Sequence, residues 1–330
     1  MSRHAHGTIG IFYEHPDWHR PLFRELERRG VPFEAVRADR HGYDPADRTA
    51  PHAVVLNRMS PSAYTRGRGH LTFYTSQYLT HLERIGVRVI NGRQAWQTEI
   101  SKAAQLSLFE TLGLPYPRAR VVHQAEQILG AADGLRFPIV VKPNIGGSGA
   151  GIRRFDTPDA LEVALDTAAP PLGIDETALV QEFVPADEGR IVRVEVLDGR
   201  YLYAIRIYTP GTTFNLCPAD VCQGVDGAAL ARAACPADAP KNNLRVEAYT
   251  PPPEIVSAVE RLMRAAGIEL GGVEYFVDAR DGQPYFYDVN AMSNFVADGP
   301  RVLGFDPFER LGAWLEAELA RAVATAEAVA

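Results

Sequence analysis

Gly146-Gly147-Ser148-Gly149-Ala150-Gly151 is the most distinctive run in this chain of 330 residues. Because glycine allows backbone conformations that other residues avoid, successive N–H groups in such a run can converge on an anion. Ile152-Arg153-Arg154-Phe155 follows and predicts a strand, and a helix begins only after the capping sequence Asp156-Thr157-Pro158. The run therefore predicts a loop between two strands that covers a ligand, although a mobile hairpin without a ligand would show the same pattern.

Two common phosphate-binding motifs do not account for this loop. A Walker loop needs Gly-Lys-Ser or Gly-Lys-Thr before a helix, and the sequence contains neither triplet. A dinucleotide-binding fingerprint needs its glycines to begin a helix directly after a strand, whereas a strand follows here. Lys142-Pro143 stands just before the glycines, where a predicted strand over residues 137–141 ends. An ammonium group at that place would lie beside the covered ligand, which favours a phosphate.

A second group of polar residues lies on two predicted antiparallel strands, over residues 272–278 and 285–290. Asp288 and Asn290 are two residues apart and so point to the same face, and hairpin pairing places Glu274 beside them. On the opposite face we expect the apolar neighbours Val273, Phe276, Phe286 and Val289. Three oxygen ligands on one face suit a hard cation such as Mg²⁺. The polar outer face of an ordinary hairpin would show the same spacing.

The order of predicted elements divides the chain into three regions. Short apolar strands alternate with helices up to residue 95, which predicts a mostly parallel sheet covered by helices. A helix over residues 99–112, ended by Gly113, begins the second region, which also contains the glycine loop. Beyond residue 185 the strands become antiparallel, with a hairpin over residues 192–206, and a last helix begins near Pro307. The fold class is therefore α/β followed by α+β, with regions 1–95, 96–185 and 186–330.

Composition and charge restrict the classes of function. Hydrophobic residues make up 46% and charged residues 23% of the chain, which is ordinary for globular proteins. The formal net charge is −7, so electrostatics do not favour nucleic-acid binding. No apolar run approaches the roughly 18 residues of a membrane helix, no signal-peptide core follows the N-terminus, and three cysteines cannot form a disulfide framework. We therefore expect a cytoplasmic protein that binds neither nucleic acid nor membrane.

Taken together, these motifs resemble the ATP-grasp ligases, and most closely the RimK-like amino-acid and peptide ligases. The resemblance covers most of the chain and depends on the order and spacing of modest motifs: Asn91, Ser101-Lys102-Ala103-Ala104-Gln105-Leu106, Phe137-Pro138-Ile139-Val140-Val141-Lys142-Pro143, Val180-Gln181-Glu182-Phe183-Val184, Gly272-Val273-Glu274 and Asp288-Val289-Asn290-Ala291. It implies an ATP-grasp fold, in which an N-terminal parallel-sheet domain precedes two α+β subdomains that clasp ATP.

The resemblance also implies a role for each matched residue. The ATP phosphates would be bound by Lys102 and Lys142, under a flap that contains Gly146, Gly147, Ser148, Gly149 and Gly151. Adenine would meet the strand of Gln181, Glu182, Phe183 and Val184. Mg²⁺, expected as two ions that Mn²⁺ can replace, would be bound by Glu274, Asp288 and Asn290. Arg193 and Arg206 would face the phosphates or the acyl phosphate, and Asn215 would lie near the transferred phosphate.

Three departures from the family pattern concern the ribose and the acceptor substrate. Ile191 stands where the family often has an acidic residue that holds the ribose, so Glu188 or Asp187 is expected to take that role. Near the acceptor, Cys217-Pro218-Ala219-Asp220-Val221-Cys222 and Ala291-Met292-Ser293-Asn294-Phe295 replace the usual residues. Without a fourth partner for zinc, we expect free thiols at Cys217, Cys222 and Cys235.

Two charged stretches are candidates for the acceptor site. One is the loop after the first strand, with Glu14, His15, Asp17 and His19. The other is the basic stretch Arg66-Gly67-Arg68-Gly69-His70, which could clamp a carboxylate. The simpler interpretation of each stretch is a plain surface loop.

The resemblance implies an ATP-dependent carboxylate–amine ligase. Such enzymes phosphorylate a carboxylate, and an amine then displaces the phosphate to leave an amide, with release of ADP and phosphate. The substrates would be a small-molecule carboxylate and an amine, as amino acids or peptides, and a homodimer would agree with related families. Two alternatives stay open: an ATP-binding partner module without catalysis, and an ATP-grasp enzyme whose acceptor is a hydroxyl, a thiol or bicarbonate.

Overall fold

A computed structural model describes residues 7–147, 150–208 and 245–329, and three β-sheets are formed within these ranges. The N-terminal sheet has the order β2-β1-β3-β4, with β1 (Ile9–Tyr13), β2 (Phe33–Arg37), β3 (Val54–Arg58) and β4 (Arg88–Ile90). The small sheet has the order β5-β8-β6-β7, with β5 (Ala119–Val122), β6 (Ile139–Pro143), β7 (Arg153–Phe155) and β8 (Ala178–Glu182). The large sheet has the order β11-β10-β9-β12-β13, with β9 (Arg190–Leu197), β10 (Arg200–Tyr208), β11 (Arg245–Tyr249), β12 (Leu270–Val277) and β13 (Pro284–Asn290).

Nine α-helices lie in the described ranges. They are α1 (Arg20–Arg29), α2 (His70–Arg84), α3 (Arg93–Glu99), α4 (Lys102–Leu112), α5 (Gln127–Ala132), α6 (Pro158–Ala168), α7 (Pro253–Ala266), α8 (Gly299–Leu303) and α9 (Pro307–Val329). Across these ranges, none of the helices combines the length and apolar character that crossing a membrane requires.

The N-terminal sheet is parallel, as the alternating strands and helices predict. Strand β1 pairs in parallel with β2 and β3, and β3 pairs in parallel with β4. Ile9 and Ile11 pack into one core and Phe12 packs into another, so both faces of β1 are covered. Because parallel strands end at the same edge, the residues that follow β1, β2 and β3 lie close together there.

The predicted helix over residues 99–112 forms as α4, which ends before Gly113 as predicted but begins three residues later, because Glu99 belongs to a separate helix. Helix α3 ends at Glu99, and α4 begins at Lys102 after a break. The side chain of Ser101 accepts a hydrogen bond from the backbone N–H of Ala104, which caps the new helix. Lys102 therefore occupies the first position of α4 and not the middle of a longer helix.

The glycine loop joins β6 to β7, two antiparallel strands, as predicted. Ile139 pairs with Phe155 and Val141 pairs with Arg153. Helix α6 then begins after Thr157, whose side chain accepts a hydrogen bond from the backbone N–H of Ala160. The loop thus connects neighbouring strands of the small sheet and does not begin a helix.

Strands β12 and β13 form the predicted hairpin with one irregularity. Glu274 pairs with Asp288 but Tyr275 pairs with Phe286, so Tyr287 is an extra residue in β13. This bulge turns Phe286 to the face opposite Asp288, as expected. Phe276 lies on the Glu274 side, in the core that the large sheet shares with the N-terminal sheet. The prediction for Phe276 is wrong because that residue is two positions from Glu274 on the same strand.

The sequence analysis did not predict β11 or α7. Helix α7 buries Val259 and Leu262 in a core with Val192 and Val194 of β9, on the face of the large sheet turned away from the N-terminal sheet. Both faces of the large sheet are therefore packed. The region boundaries at residues 95 and 185 stay predictions.

Candidate active site

Asn144 holds the two predicted phosphate lysines close together. Lys142 lies on β6, and Lys102 is the first residue of α4. The side-chain oxygen of Asn144 accepts hydrogen bonds from the backbone N–H of Ala103 at 2.8 Å and from Ser101 Oγ at 3.2 Å. Its backbone oxygen accepts from the N–H of Lys102 at 3.4 Å. Asn144 thereby fixes the start of α4 to the end of β6, a role that the sequence analysis missed.

Asp288 is the carboxylate that pairs with Lys102, and its charge also acts on Lys142. Lys102 Nζ lies 2.6 Å from Asp288 Oδ1, and about one fifth of each side chain is exposed. Asn290 donates a hydrogen bond from Nδ2 to Asp288 Oδ2 at 3.4 Å. Glu274 is the residue opposite Asp288 in the β12–β13 pair. The structure therefore brings together Lys102, Lys142, Glu274, Asp288 and Asn290.

Arg193 links Glu274 to a second buried acid, Glu195, which the sequence analysis missed. Arg193 donates from Nη1 to Glu274 Oε1 at 2.6 Å and from Nε to Glu195 Oε1 at 2.5 Å. The exposed fractions of Arg193, Glu195 and Glu274 are 1%, 0% and 4%. The hydroxyl of Tyr287 donates to Glu274 Oε2 at 2.5 Å, and Ser293 Oγ donates to Glu195 Oε1 at 2.8 Å. Buried charges need such partners, so this network fixes the carboxylate of Glu274.

A sequence signal for Glu195 does exist. Val192, Val194 and Val196 alternate with Arg193 and Glu195 along β9, so the charged residues share one face of the strand. Opposite charges two positions apart within an otherwise apolar run from Ile191 to Leu197 indicate a buried ion pair rather than an exposed edge.

Gly272 provides a direct test of this network. A Cβ there would lie 2.9 Å from the guanidinium of Arg193 and 3.0 Å from Glu195 Oε1. We expect Gly272→Ala to displace Arg193 from Glu274 and to lower the free energy of unfolding by about 1–3 kcal/mol, measured by urea denaturation. Gly42→Ala is the matched control, because no atom lies within 4 Å of its added Cβ. Equal stability of the two variants would contradict the tight packing around Arg193.

The electrostatic environment distinguishes the two lysines. Burial and the nearby Lys102 cation lower the pKa of Lys142 to about 7. Partial burial also acts to lower the pKa of Lys102, but Asp288 outweighs that effect and raises it. Burial raises the pKa of Glu274, against the opposing effect of Arg193. The site thus contains one ammonium neutralised by Asp288 and another whose charge an anionic ligand would stabilise.

The described part of the glycine loop packs closely on its surroundings. A Cβ on Gly146 would lie 3.3 Å from Lys102 Cε, and a Cβ on Gly147 would lie only 2.6 Å from Ser62 Cβ. Gly151 has a φ of +77°, in the region that favours glycine. The loop therefore lies against both Lys102 of α4 and Ser62 of the N-terminal region. Outside the described residues lie the predicted Ser148, Gly149, Asn215, Cys217, Cys222 and Cys235.

Gln181 and Glu182 lie at the end of β8, and their side chains are engaged by the protein. Gln181 is 3% exposed and donates from Nε2 to the backbone oxygen of Pro117 at 3.2 Å. The carboxylate of Glu182 accepts from the backbone N–H of Arg136 at 2.9 Å. These two hydrogen bonds connect the end of β8 to the neighbouring segments at Pro117 and Arg136.

Phe183, Val184 and Glu188 continue the chain from the small sheet towards the large one. The guanidinium of Arg154 lies 4.4 Å from the centre of the Phe183 ring. Val184 is buried in the core shared with the N-terminal sheet. Glu188, predicted at the ribose, is exposed and lies 3.4 Å from Arg190.

Arg206 is not part of the cluster. It lies opposite Val192 in the β9–β10 pair, whereas Arg193 lies opposite Ile205, so the two arginines point to opposite faces of the large sheet. The guanidinium of Arg206 lies 3.7 Å from the centre of the Tyr249 ring. The structure therefore does not place Arg206 beside Arg193, and its role at the phosphates or the acyl phosphate stays a prediction.

The family comparison matches the part of the chain that carries most of the site, although Lys102 lies before the matched range. The model described as D-ala D-ala ligase C-terminus matches residues 108–297, which include the glycine loop, β12 and β13. The chain belongs to this ATP-grasp ligase family. A D-alanine–D-alanine ligase of Geobacter sulfurreducens is 30% identical over 150 residues, which are 42% of this chain and 46% of the relative. The matches thus span about half the length of the curated relatives.

Two solved structures confirm the predicted ATP-grasp fold. The ATP-grasp ligase PsnB, complexed with a minimal precursor, has a TM-score of 0.65 and 22% identity and covers 94% of this chain and 98% of its own. A RimK domain ATP-grasp protein from Sphaerobacter thermophilus has a TM-score of 0.62 and 17% identity, with coverages of 92% and 98%. The resemblance to ATP-grasp ligases, including RimK-like proteins, is confirmed.

ATP-grasp ligases use ATP and Mg²⁺, and the oxygen atoms gathered here fit that ion. Glu274, Asp288 and Asn290 offer carboxylate and amide oxygens, which Mg²⁺ prefers. Each carboxylate oxygen has two lone pairs, so Glu274 can keep its bonds to Arg193 and Tyr287 while it binds a cation. The ammonium of Lys102 on Asp288 shows that this group of oxygens attracts positive charge.

The two stretches considered for the ATP-grasp acceptor site lie together. Arg66 and Arg68 both bind the carboxylate of Glu14, each with a closest distance of 2.6 Å. Glu14, His15 and His19 are less than one tenth exposed. The prediction of plain surface loops is wrong for these residues, because charges more than fifty positions apart pair across the sheet edge. Asp17 is exposed and pairs with Arg20 at 2.5 Å.

Proposed function

We propose that this protein is an ATP-dependent ligase that joins a carboxylate to an amine through an acyl phosphate, with release of ADP and phosphate. The observation that carries the proposal is the convergence of Lys102, Lys142, Asp288 and Glu274 beside a glycine loop. Two ammonium groups complement the charge of a triphosphate, and two carboxylates complement the Mg²⁺ that accompanies it. Membership of the family supports the same chemistry.

The proposed roles follow from charge and position. Lys142 and Lys102 bind the phosphates, and Lys102 exchanges its contact with Asp288 for a phosphate oxygen. Bound Mg²⁺, proposed as two ions on Glu274, Asp288 and Asn290, supplies further neutralisation of the phosphate charge. Arg193 and Tyr287 keep the Glu274 carboxylate in place.

The proposed nucleotide contacts extend along the chain from the phosphates. The segment Gln181-Glu182-Phe183-Val184 meets adenine through backbone groups other than the N–H groups of Glu182 and Phe183, which donate to the backbone oxygens of Arg118 and Pro138. Glu188 binds the ribose. Asn215 is proposed, from the family resemblance, to lie near the transferred phosphate.

The glycine loop is proposed to exclude water from the acyl phosphate. Water would hydrolyse that intermediate, so closure must precede phosphoryl transfer. The close approach of Gly147 to Ser62 supports this role, because it lets the loop close against the N-terminal region. A side chain at residue 147 would hold the loop open.

The test is incubation with Mg-ATP and pooled carboxylates, amino acids and peptides, with ADP and new masses measured together. We expect ADP to rise with a product equal to two components minus water. If ADP rises together with the mass of an ester, a thioester or a carboxylated product, the acceptor is a hydroxyl, a thiol or bicarbonate and not an amine. ATP binding without ADP in any pool would favour the non-catalytic partner module and contradict the proposal.

A further inference from the structure

A second charged cluster lies at the edge where β1, β2 and β3 end. Ligands of open parallel sheets commonly bind at this edge. The roles proposed above for ATP and Mg²⁺ do not use this cluster. We call it the arginine cluster, and it consists of Glu14, Arg37, Asp39, Arg66 and Arg68.

Arg66 and Arg68 are held in fixed positions by the acids around them. Arg66 donates from Nε and Nη2 to the carboxylate of Glu14, at distances between 2.6 and 3.2 Å. Arg68 donates from Nη1 to Glu14 Oε1 at 2.6 Å, and its Nη2 lies 3.5 Å from Asp39. Asp39 in turn is bound by Arg37 at 2.7 Å.

The cluster carries one more positive charge than its acids balance. Burial would raise the pKa of Glu14, but Arg66 and Arg68 hold it below its usual value. Arg37 likewise lowers the pKa of Asp39. Both acids are therefore ionised at neutral pH, so three guanidinium groups face two carboxylates. Each of the three arginines pairs with an acid, but they share two carboxylates, so the cluster as defined carries a net charge of one positive unit.

Neighbouring aromatic side chains add no charge to the arginine cluster and pack beside Arg66. Burial, reinforced by the cation of Arg66, lowers the pKa of His15 to about 4, so its ring is neutral. His15 stacks on Trp18 with ring centres 4.1 Å apart, and the guanidinium of Arg66 lies 5.2 Å from the Trp18 ring centre. Arg66 is thus held between a carboxylate and a flat aromatic surface.

The arginine cluster also adjoins the proposed reaction site. Ser62 Oγ accepts a hydrogen bond from Arg66 Nη1 at 3.3 Å, and Ser62 is the residue against which Gly147 packs. One third of the Arg68 side chain is exposed, so part of its guanidinium can reach a ligand. A planar guanidinium matches a carboxylate with two parallel hydrogen bonds.

We propose that Arg66 and Arg68 bind a substrate carboxylate that the reaction does not consume. At least one substrate would then be an amino acid, a peptide or a dicarboxylic acid, held by its spared carboxylate beside the glycine loop. This inference rests on the proposed ligase function and adds the substrate class. A purely structural clamp is the competing interpretation of the same contacts.

The test is equilibrium dialysis of the protein with Mg²⁺ and a non-hydrolysable ATP analogue. The probes are amino acids, dicarboxylic acids of four to six carbons and a tryptic peptide mixture, each beside its amidated counterpart, and retention is measured by mass spectrometry. We expect at least one acid to be retained over its amide, and the probe class retained identifies the source of the carboxylate. Arg68→Met should weaken that retention at least 10-fold with nucleotide affinity unchanged.

Arg20→Met is the matched control, because Arg20 is exposed in the same region and pairs only with Asp17 among the described residues. Arg68→Lys keeps the charge but loses the planar fork, so it should also weaken retention, and it replaces Arg68→Met in the test if that variant does not fold.

Three results would overturn the inference: no retention by the unaltered protein, equal retention of acids and amides, or full retention by a folded Arg68 variant. ADP formation without preference for acids would overturn it and leave the ligase proposal intact. Retention of acids without ADP formation in any pool would support the carboxylate site and contradict the ligase proposal.

Discussion

Asp288→Asn is expected to lower kcat/KM for ATP-dependent product formation by about 100-fold or more, because it removes one anionic oxygen from the proposed Mg²⁺ site. The same change removes the charge that pairs with Lys102 at 2.6 Å. The measurement is the initial rate of ADP release over a series of ATP concentrations, repeated at several Mg²⁺ concentrations.

Asp166→Asn is the control for this prediction, since Asp166 is exposed in the last turn of α6. Circular dichroism of both variants separates loss of function from loss of fold. Undiminished turnover of a folded Asp288→Asn protein would show that the carboxylate does not act in the reaction.

Lys142 is expected to make nucleotide binding take up a proton. Its pKa of about 7 leaves it mostly neutral at pH 8 in the free protein, and an adjacent triphosphate favours the charged form. Binding of Mg-ATP at pH 8 should therefore take up close to one proton, and binding at pH 6 almost none. Calorimetry in buffers of different ionisation enthalpy measures this number.

Lys142→Arg isolates that effect, because a guanidinium stays charged throughout this range. We expect the variant to bind Mg-ATP at pH 8 without the extra proton, and an unchanged uptake would contradict the assignment.

The pKa of Lys142 also affects the stability of the fold. The unfolded lysine keeps its proton up to the ordinary value of 10.5, whereas the folded one loses it near 7. This group therefore makes the free energy of unfolding rise with pH over that window.

Local patterns in the sequence were sufficient for much of the fold. The glycines between two predicted strands, the Asp-Gly turn at Asp198 and the strands around Glu274 and Asp288 all occur as expected. The break between α3 and α4 was missed because apolar spacing continues through Ser101, and the serine cap decides the boundary.

The candidate site was less predictable where it depends on sheet register or on distant pairing. Alternation along one strand cannot show whether Arg206 on β10 lies on the same face of the sheet as Arg193 on β9. That depends on the register in which β9 and β10 pair. Likewise, no local pattern connects Glu14 to Arg66 and Arg68, whose contact requires the parallel sheet to place two loops at one edge. The resemblance predicted the cluster of Lys102, Lys142, Glu274, Asp288 and Asn290, and the structure supports it by their proximity.

The most direct test of the central claim is isotope transfer from the carboxylate substrate to phosphate. Pooled carboxylates labelled with ¹⁸O in both carboxyl oxygens are incubated with the protein, Mg-ATP and pooled amines, and the released phosphate is analysed by mass spectrometry. An acyl phosphate requires one carboxyl oxygen to leave with the phosphate, so we expect phosphate that carries one ¹⁸O. Unlabelled phosphate released together with ADP would show that water attacks ATP directly and would contradict the proposed mechanism.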